Sequence, residues 1–261
     1  QRRDATVAGM VATTEIDRGA NSAPDQQAAA NQEAAVPASV EQATIHNTSA
    51  LVAQPAMPGE HQDNRQSVRV SPSKSELDKR LAERAQTLMQ QQRLAEAETL
   101  LQNHLAGDPD ASASRTMLVE VYLASGDLSS ARQQVELLTD IPSHARARLT
   151  ARIDMESGAI QSAIAGLEAA RPSLPAEPGY YGFLAALYHR AERFREAADV
   201  YEQLLALNSN QATYWLGLAV SLDALNDRSG ALRAFRYARL YGRPDAPSRG
   251  YVEERIQTLS G

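Results

Sequence analysis

The side chains capable of chemistry in this chain are few and scattered. Its histidines, His46, His61, His104, His144 and His189, share no spacing that would carry two of them to one metal ion. His189 and Glu192 stand one helical turn apart, which is the spacing of a surface pair rather than of a ligand set. Gly179 and Gly182 flank an aromatic helix start, not a strand-to-helix turn, so they form no phosphate loop. No serine occupies a nucleophile elbow. Glu253 and Glu254 are neighbours, and neighbouring side chains on a helix point about 100° apart, too far to share a substrate. The absence of cysteine removes disulfides, thiolate catalysis and Cys-ligated zinc. The expectation is a protein that is not an enzyme and takes no cofactor and no metal.

Composition divides the chain in two. Every aromatic residue lies at or after Tyr122, and all but that one lie between Tyr180 and Tyr251. Residues 1–74 have none and are rich in Ala, Gln, Ser, Asn and Pro, as in Gln26-Gln27-Ala28-Ala29-Ala30-Asn31-Gln32. Such a segment cannot bury enough apolar surface to offset the entropy of ordering it, so it reads as a disordered linker. A flexible linker of this length has a root-mean-square span of roughly 45–50 Å. The net charge of −6 and the pI of 5.5 argue against nucleic acid as a partner. No run of apolar residues is long enough to span a membrane. The chain begins at Gln1 rather than Met, and a signal or membrane anchor is expected to have preceded it.

The rest of the chain is organised by an internal repeat. Ala97, Ala131, Ala163, Ala197 and Ala231 follow one another at 34, 32, 34 and 34 residues. A larger residue stands three positions before each (Leu94, Leu128, Ile160, Phe194 and, exceptionally, Arg228). A core-type residue stands four positions after each: Leu101, Val135, Leu167, Tyr201 and Phe235. These spacings put bulky, small and bulky side chains on one helical face. Tyr181, Leu184, Ala185 and Tyr188, and 34 residues later Trp215, Leu218, Ala219 and Leu222, give the preceding helix of units four and five. A helix–turn–helix of this period is the tetratricopeptide pattern, in which a small side chain lets helix ridges cross closely. The expected fold is all-α: a right-handed tetratricopeptide superhelix of five helix pairs at about 78–111, 112–143, 144–177, 178–211 and 212–244. A helix over 248–261, with Tyr251, Val252, Ile256 and Leu259, is expected to cap the exposed end. Unit three, with its 32-residue step and Pro172, Pro175 and Pro178, is expected to be distorted. An irregular helical bundle is the alternative.

In such arrays the first helix of each pair lines the concave surface. The residues between the core positions are then the candidates for a partner groove: Phe183, Ala186, His189 and Arg190 in unit four, Leu216 and Val220 in unit five, and Met117 and Leu123 in unit two. The groove over units four and five is apolar and lacks the clustered Lys and Asn that clamp a carboxylate, so an apolar helix or extended peptide suits it. The alternative reading buries Phe183, Leu216 and Val220 against a neighbouring helix or the chain's own tail; if exposed, they also offer a surface for self-association. Arg233, Arg236, Arg239 and Arg243 recur along one side of a helix. They are either a solvated outer face or a docking strip for an acidic protein surface or anionic lipid heads.

The C-terminal end resembles a known family. The carrying residues are Tyr214-Trp215-Leu216-Gly217-Leu218-Ala219, then Ala231 through Tyr237, and the closing Tyr251-Val252-Glu253-Glu254-Arg255-Ile256. Arg195-Glu196-Ala197-Ala198 and the run from Tyr201 to Leu205 agree. These are similar to the MshN-like tetratricopeptide proteins of mannose-sensitive haemagglutinin (MSHA-type) type IV pilus biogenesis. That family's layout is a short cytoplasmic start, one membrane helix, a low-complexity periplasmic linker and repeats; the membrane helix is not in this sequence. The resemblance implies a scaffold at the periplasmic face of the bacterial inner membrane whose partners are pilus assembly components. The alternatives are an adaptor for another envelope secretion or maturation complex, a location in the cytoplasm, or a self-assembling homo-oligomer.

Overall fold

Ser73 starts the described fold by accepting the Glu76 N–H at 3.1 Å, which satisfies one of the donors a helix leaves open at its beginning. The structure is a computed structural model, in which residues 72–243 and 246–261 are described. The segment expected to be disordered, 1–74, therefore lies almost wholly outside the described residues. Among those residues the secondary structure is entirely helical: α1 (Lys74–Gln90), α2 (Leu94–Gly107), α3 (Ser112–Ser125), α4 (Leu128–Glu136), α5 (Ser143–Glu156), α6 (Ile160–Ala169), α7 (Pro178–Arg190), α8 (Phe194–Leu207), α9 (Ala212–Ala224), α10 (Arg228–Tyr241) and α11 (Arg249–Ser260). They form five successive helix pairs and a closing helix, the tetratricopeptide array that the alanine spacing predicts. None is long and apolar enough to cross a membrane.

The five repeat alanines are each at most 1% exposed, and so are Leu101, Leu167, Tyr201 and Phe235 four residues on. Each pair also turns in the same way. Gln92, Gly126, Gly158, Glu192 and Asn226 all adopt the left-handed conformation, with φ between 59 and 81°. The following residue's N–H reaches back to the carbonyl five positions earlier, as from Arg93 to Leu88, from Asp127 to Tyr122 and from Arg193 to Tyr188. This doubly bonded helix ending closes each first helix and sets the angle of the second. Two of the five turns use glycine, which bears this conformation without penalty, whereas Glu192 pays a Cβ clash. Glu192→Gly is therefore expected to stabilise the fold by about 1 kcal/mol, read as a higher melting temperature.

The second helices start on caps where the sequence allows. Asp127 accepts the Ser130 N–H at 3.0 Å and the Ser129 hydroxyl at 2.8 Å. Hydrogen bonds from Ser130, then Ser129, hold its carboxyl down from an ordinary value of 3.8 to about 2. A carboxylate depressed in the folded state stabilises above its unfolded value and loses that contribution as pH falls through its folded one. Asp127→Asn keeps a capping oxygen, so it should remove part of the fall in melting temperature between pH 3.8 and about 2 while leaving neutral-pH folding intact.

Unit three departs from the rest. Its second helix, α6, has 10 residues and the preceding α4 has 9, against 14 in α2, α8 and α10. Pro142 at the N-cap of α5 and the loop carrying Pro172 and Pro175 follow these short helices. The core divides at the same place: Leu149 and Ile153 of α5 join one cluster with α1–α4, while Ala151 and Met155 join the other with α6–α11. At the far end α11 covers α10. Val252 is buried, the Tyr251 ring meets Phe235 edge-on at 6.0 Å, and Arg228 donates to the Leu259 carbonyl at 3.0 Å.

Candidate protein-binding surface

Successive first helices are tied to one another by polar side chains. The buried Asp78 of α1 accepts the N–H groups of Ala113 at 3.0 Å and Ser114 at 2.9 Å, and so caps α3, whose own N-cap residue, Ala111, offers no side-chain bond. Glu120 of α3 pairs with Arg152 of α5, and Asp223 of α9 with Arg255 of α11 at 2.5 Å. Asp78→Ala strips two amides of their acceptor in a dry interior and should cost about 2 kcal/mol in chemical unfolding; Asp78→Asn, which keeps one acceptor oxygen, should cost less.

This close approach corrects the groove expected over units four and five. Phe183, Ala186, Leu216 and Val220 are 3, 2, 6 and 6% exposed, and Phe183, Leu216 and Val220 belong to the core shared by α5–α11. They are not an open surface. Small residues, Gly182, Ala185, Gly217 and Ala219, all buried, let the first helices and their partners pack without a gap. The approach at Gly217 is close: a Cβ there would lie 2.3 Å from Cζ of Tyr201. Of the other groove candidates, Met117 and Leu123 are half-buried against the N-terminal cluster. His189 is half-buried with its ring edge-on to Phe194 at 5.1 Å, and Arg190 is exposed.

The outer face of α10 is open. Arg233, Arg236, Arg239 and Arg243 are all exposed. Tyr237 and Tyr241 are 43 and 38% exposed and stack at 6.3 Å and 11°, while Trp215 stacks on Tyr237 at 4.5 Å. Leu240, within the arginine stripe, is 68% exposed. The aromatic ladder escaped the sequence reading, although Tyr237 and Tyr241 at i and i+4 announce it.

Two further features were missed. A cavity of about 390 Å³ lies beside the short helices of unit three, lined by Ile141, Arg146, Ala147, Thr150, Asp154 and Ser162 among others. At the junction of units three and four, Tyr188 donates to Glu168 at 2.6 Å and accepts from Arg171 at 2.8 Å, with Arg193 over its ring at 4.4 Å. Burial, then the bond to Glu168, pushes the Tyr188 hydroxyl up to about 12, so it remains a proton donor throughout the physiological range. Among the described residues no group of three His, Asp or Glu side chains could hold a metal ion.

The comparisons with known proteins follow this geometry. Tetratricopeptide-repeat family models match residues 88–142 and 184–248, leaving the distorted unit three between them. No curated protein sequence matches the chain. Among solved structures, PilF of Pseudomonas aeruginosa has 16% identity and a TM-score of 0.59, covering 71% of this chain and 90% of its own. PilW, described as a widely conserved type IV pilus biogenesis factor, has 14% identity and a TM-score of 0.62, covering 73% of this chain and 88% of its own. A repeat protein of Parabacteroides merdae has 18% identity and a TM-score of 0.53, covering 72% and 73%. At such identities the likeness is one of fold. Repeat spacing, turns, core and family matches together make the chain a tetratricopeptide-repeat protein.

Proposed function

We propose that this protein is a non-enzymatic protein-binding scaffold in type IV pilus assembly, of the MSHA type, at the periplasmic face of the bacterial inner membrane. The observation that carries the reading is the repeat array itself, a fold that binds proteins and that PilW, described as a type IV pilus biogenesis factor, shares over most of its length. The resemblance of Tyr214–Ala219 and Tyr251–Ile256 to the MshN-like family supports the finer assignment. With Phe183, Leu216 and Val220 in the core, the groove candidates left accessible are the half-buried Met117 and Leu123 on α3, the half-buried His189 and the exposed Arg190. These sites favour a partner that contributes a few apolar side chains and an acidic group. The arginine stripe of α10 is a second available surface.

An adaptor role in another envelope complex is the competing reading. Deleting the gene separates the two. Loss of surface MSHA-type pili, restored by the full chain, is the expected result; normal piliation with a defect elsewhere in the envelope selects the adaptor.

A further inference from the structure

The outer faces of units four and five carry opposite charges at matching positions. Two and five residues after the repeat alanine, α8 has Asp199 and Glu202, whereas α10 has Arg233 and Arg236. All four are exposed, and among the described residues none of them makes an ion pair. The same positions in units one, two and three hold Thr99 and Gln102, Gln133 and Glu136, and Ala165 and Glu168, so the reversal is confined to the last two pairs. Apolar side chains accompany the charges: Leu207 is 50% exposed on α8, and Leu240 and Tyr237 are 68 and 43% exposed on α10.

We infer that this outer face is a docking site for a second copy of the chain, in a two-fold arrangement where α8 of each protomer lies parallel along α10 of the other. A parallel register that opposes Asp199 to Arg233 also opposes Glu202 to Arg236, because both pairs are three residues apart on their helices. The symmetry makes the contact twice, and each copy supplies both signs. The charges set register and encounter, and the leucines and Tyr237 supply the apolar area. The inference needs only the fold and is independent of the pilus assignment, so either can fail without the other.

Sedimentation equilibrium of the full chain tests it. The wild type should form a dimer whose dissociation constant rises about tenfold between low salt and 0.5 M NaCl. The Asp199→Arg, Glu202→Arg variant and the Arg233→Glu, Arg236→Glu variant should each be monomeric at the same concentrations, since each then presents one sign only. Mixed in equal amounts, the two should associate again. Leu240→Ser, which leaves every charge in place, should weaken the dimer about tenfold and gives a second reading should a reversal disturb folding, as followed by circular dichroism. A wild type that stays monomeric overturns the inference, as do reversal variants that dimerise like the wild type or folded variants that ignore each other. Binding of polyglutamate by a monomeric wild type, lost on Arg233→Glu, would assign the stripe to an acidic partner instead and also overturn it.

Discussion

A Phe183→Glu, Leu216→Glu double variant is expected to unfold the C-terminal half of the array rather than merely to release a partner. Phe183 and Leu216 are 3 and 6% exposed within one continuous cluster that runs to Val252 of the closing helix. A carboxylate placed there loses its water without gaining a partner, at a cost of several kcal/mol per site. Two such sites approach the whole stability of a typical domain, about 5–15 kcal/mol. Far-ultraviolet circular dichroism should show a large loss of helix at room temperature. Retention of wild-type helix content and melting temperature would mean that both side chains face solvent and that the groove over units four and five is open after all.

Gly217→Ala should be a costly single-methyl change. The added carbon would lie 2.3, 2.5 and 2.7 Å from Cζ, Cε2 and Cε1 of Tyr201. That ring is 1% exposed and has Tyr214 against it at 6.3 Å, so it has nowhere to retreat. Overpacking of this kind costs about 1–3 kcal/mol, with the upper part of the range expected for a rigid aromatic neighbour. Gly166→Ala is the matched control. Gly166 also lies inside a helix, but no atom lies within 4 Å of its would-be Cβ. It should gain about 0.5–1 kcal/mol from the lower backbone entropy of alanine. Urea titrations of the two variants should move in opposite directions; equal effects would show that helix propensity, not the Tyr201 contact, governs Gly217.

The repeat was legible because one small residue recurring every 34 residues is a packing requirement expressed directly in sequence. The closing helix was legible for a related reason: a stack must end, and Tyr251, Val252 and Ile256 have nowhere else to go. The binding face was less so. Period 3.6 shows which side of a first helix meets its own partner, but not how closely the next unit approaches from the other side. The warning lay in Leu216 to Ser221, six residues without a charge and all buried, because a helix apolar all round is covered all round. The left-handed turns at Gln92 and Glu192 left no trace, as neither residue favours that conformation. Asp78 could not be read as the cap of a helix beginning at Ser112, because only the fold brings the two together. The charge reversal between α8 and α10 was half visible: the arginines stood out, and the acidic counterparts on the preceding unit did not.

The claim that the array is a pilus scaffold is tested most directly by placing a photoreactive amino acid at Leu123 or at Arg190 of the full chain and irradiating intact cells. Gln133, exposed on the outer side of α4, is the control position. Leu123 and Arg190 should yield a covalent adduct with a type IV pilus assembly component, and the control position should not. Adducts at Leu123 and Arg190 only with proteins of another envelope system, or the same adducts from Gln133, would contradict it.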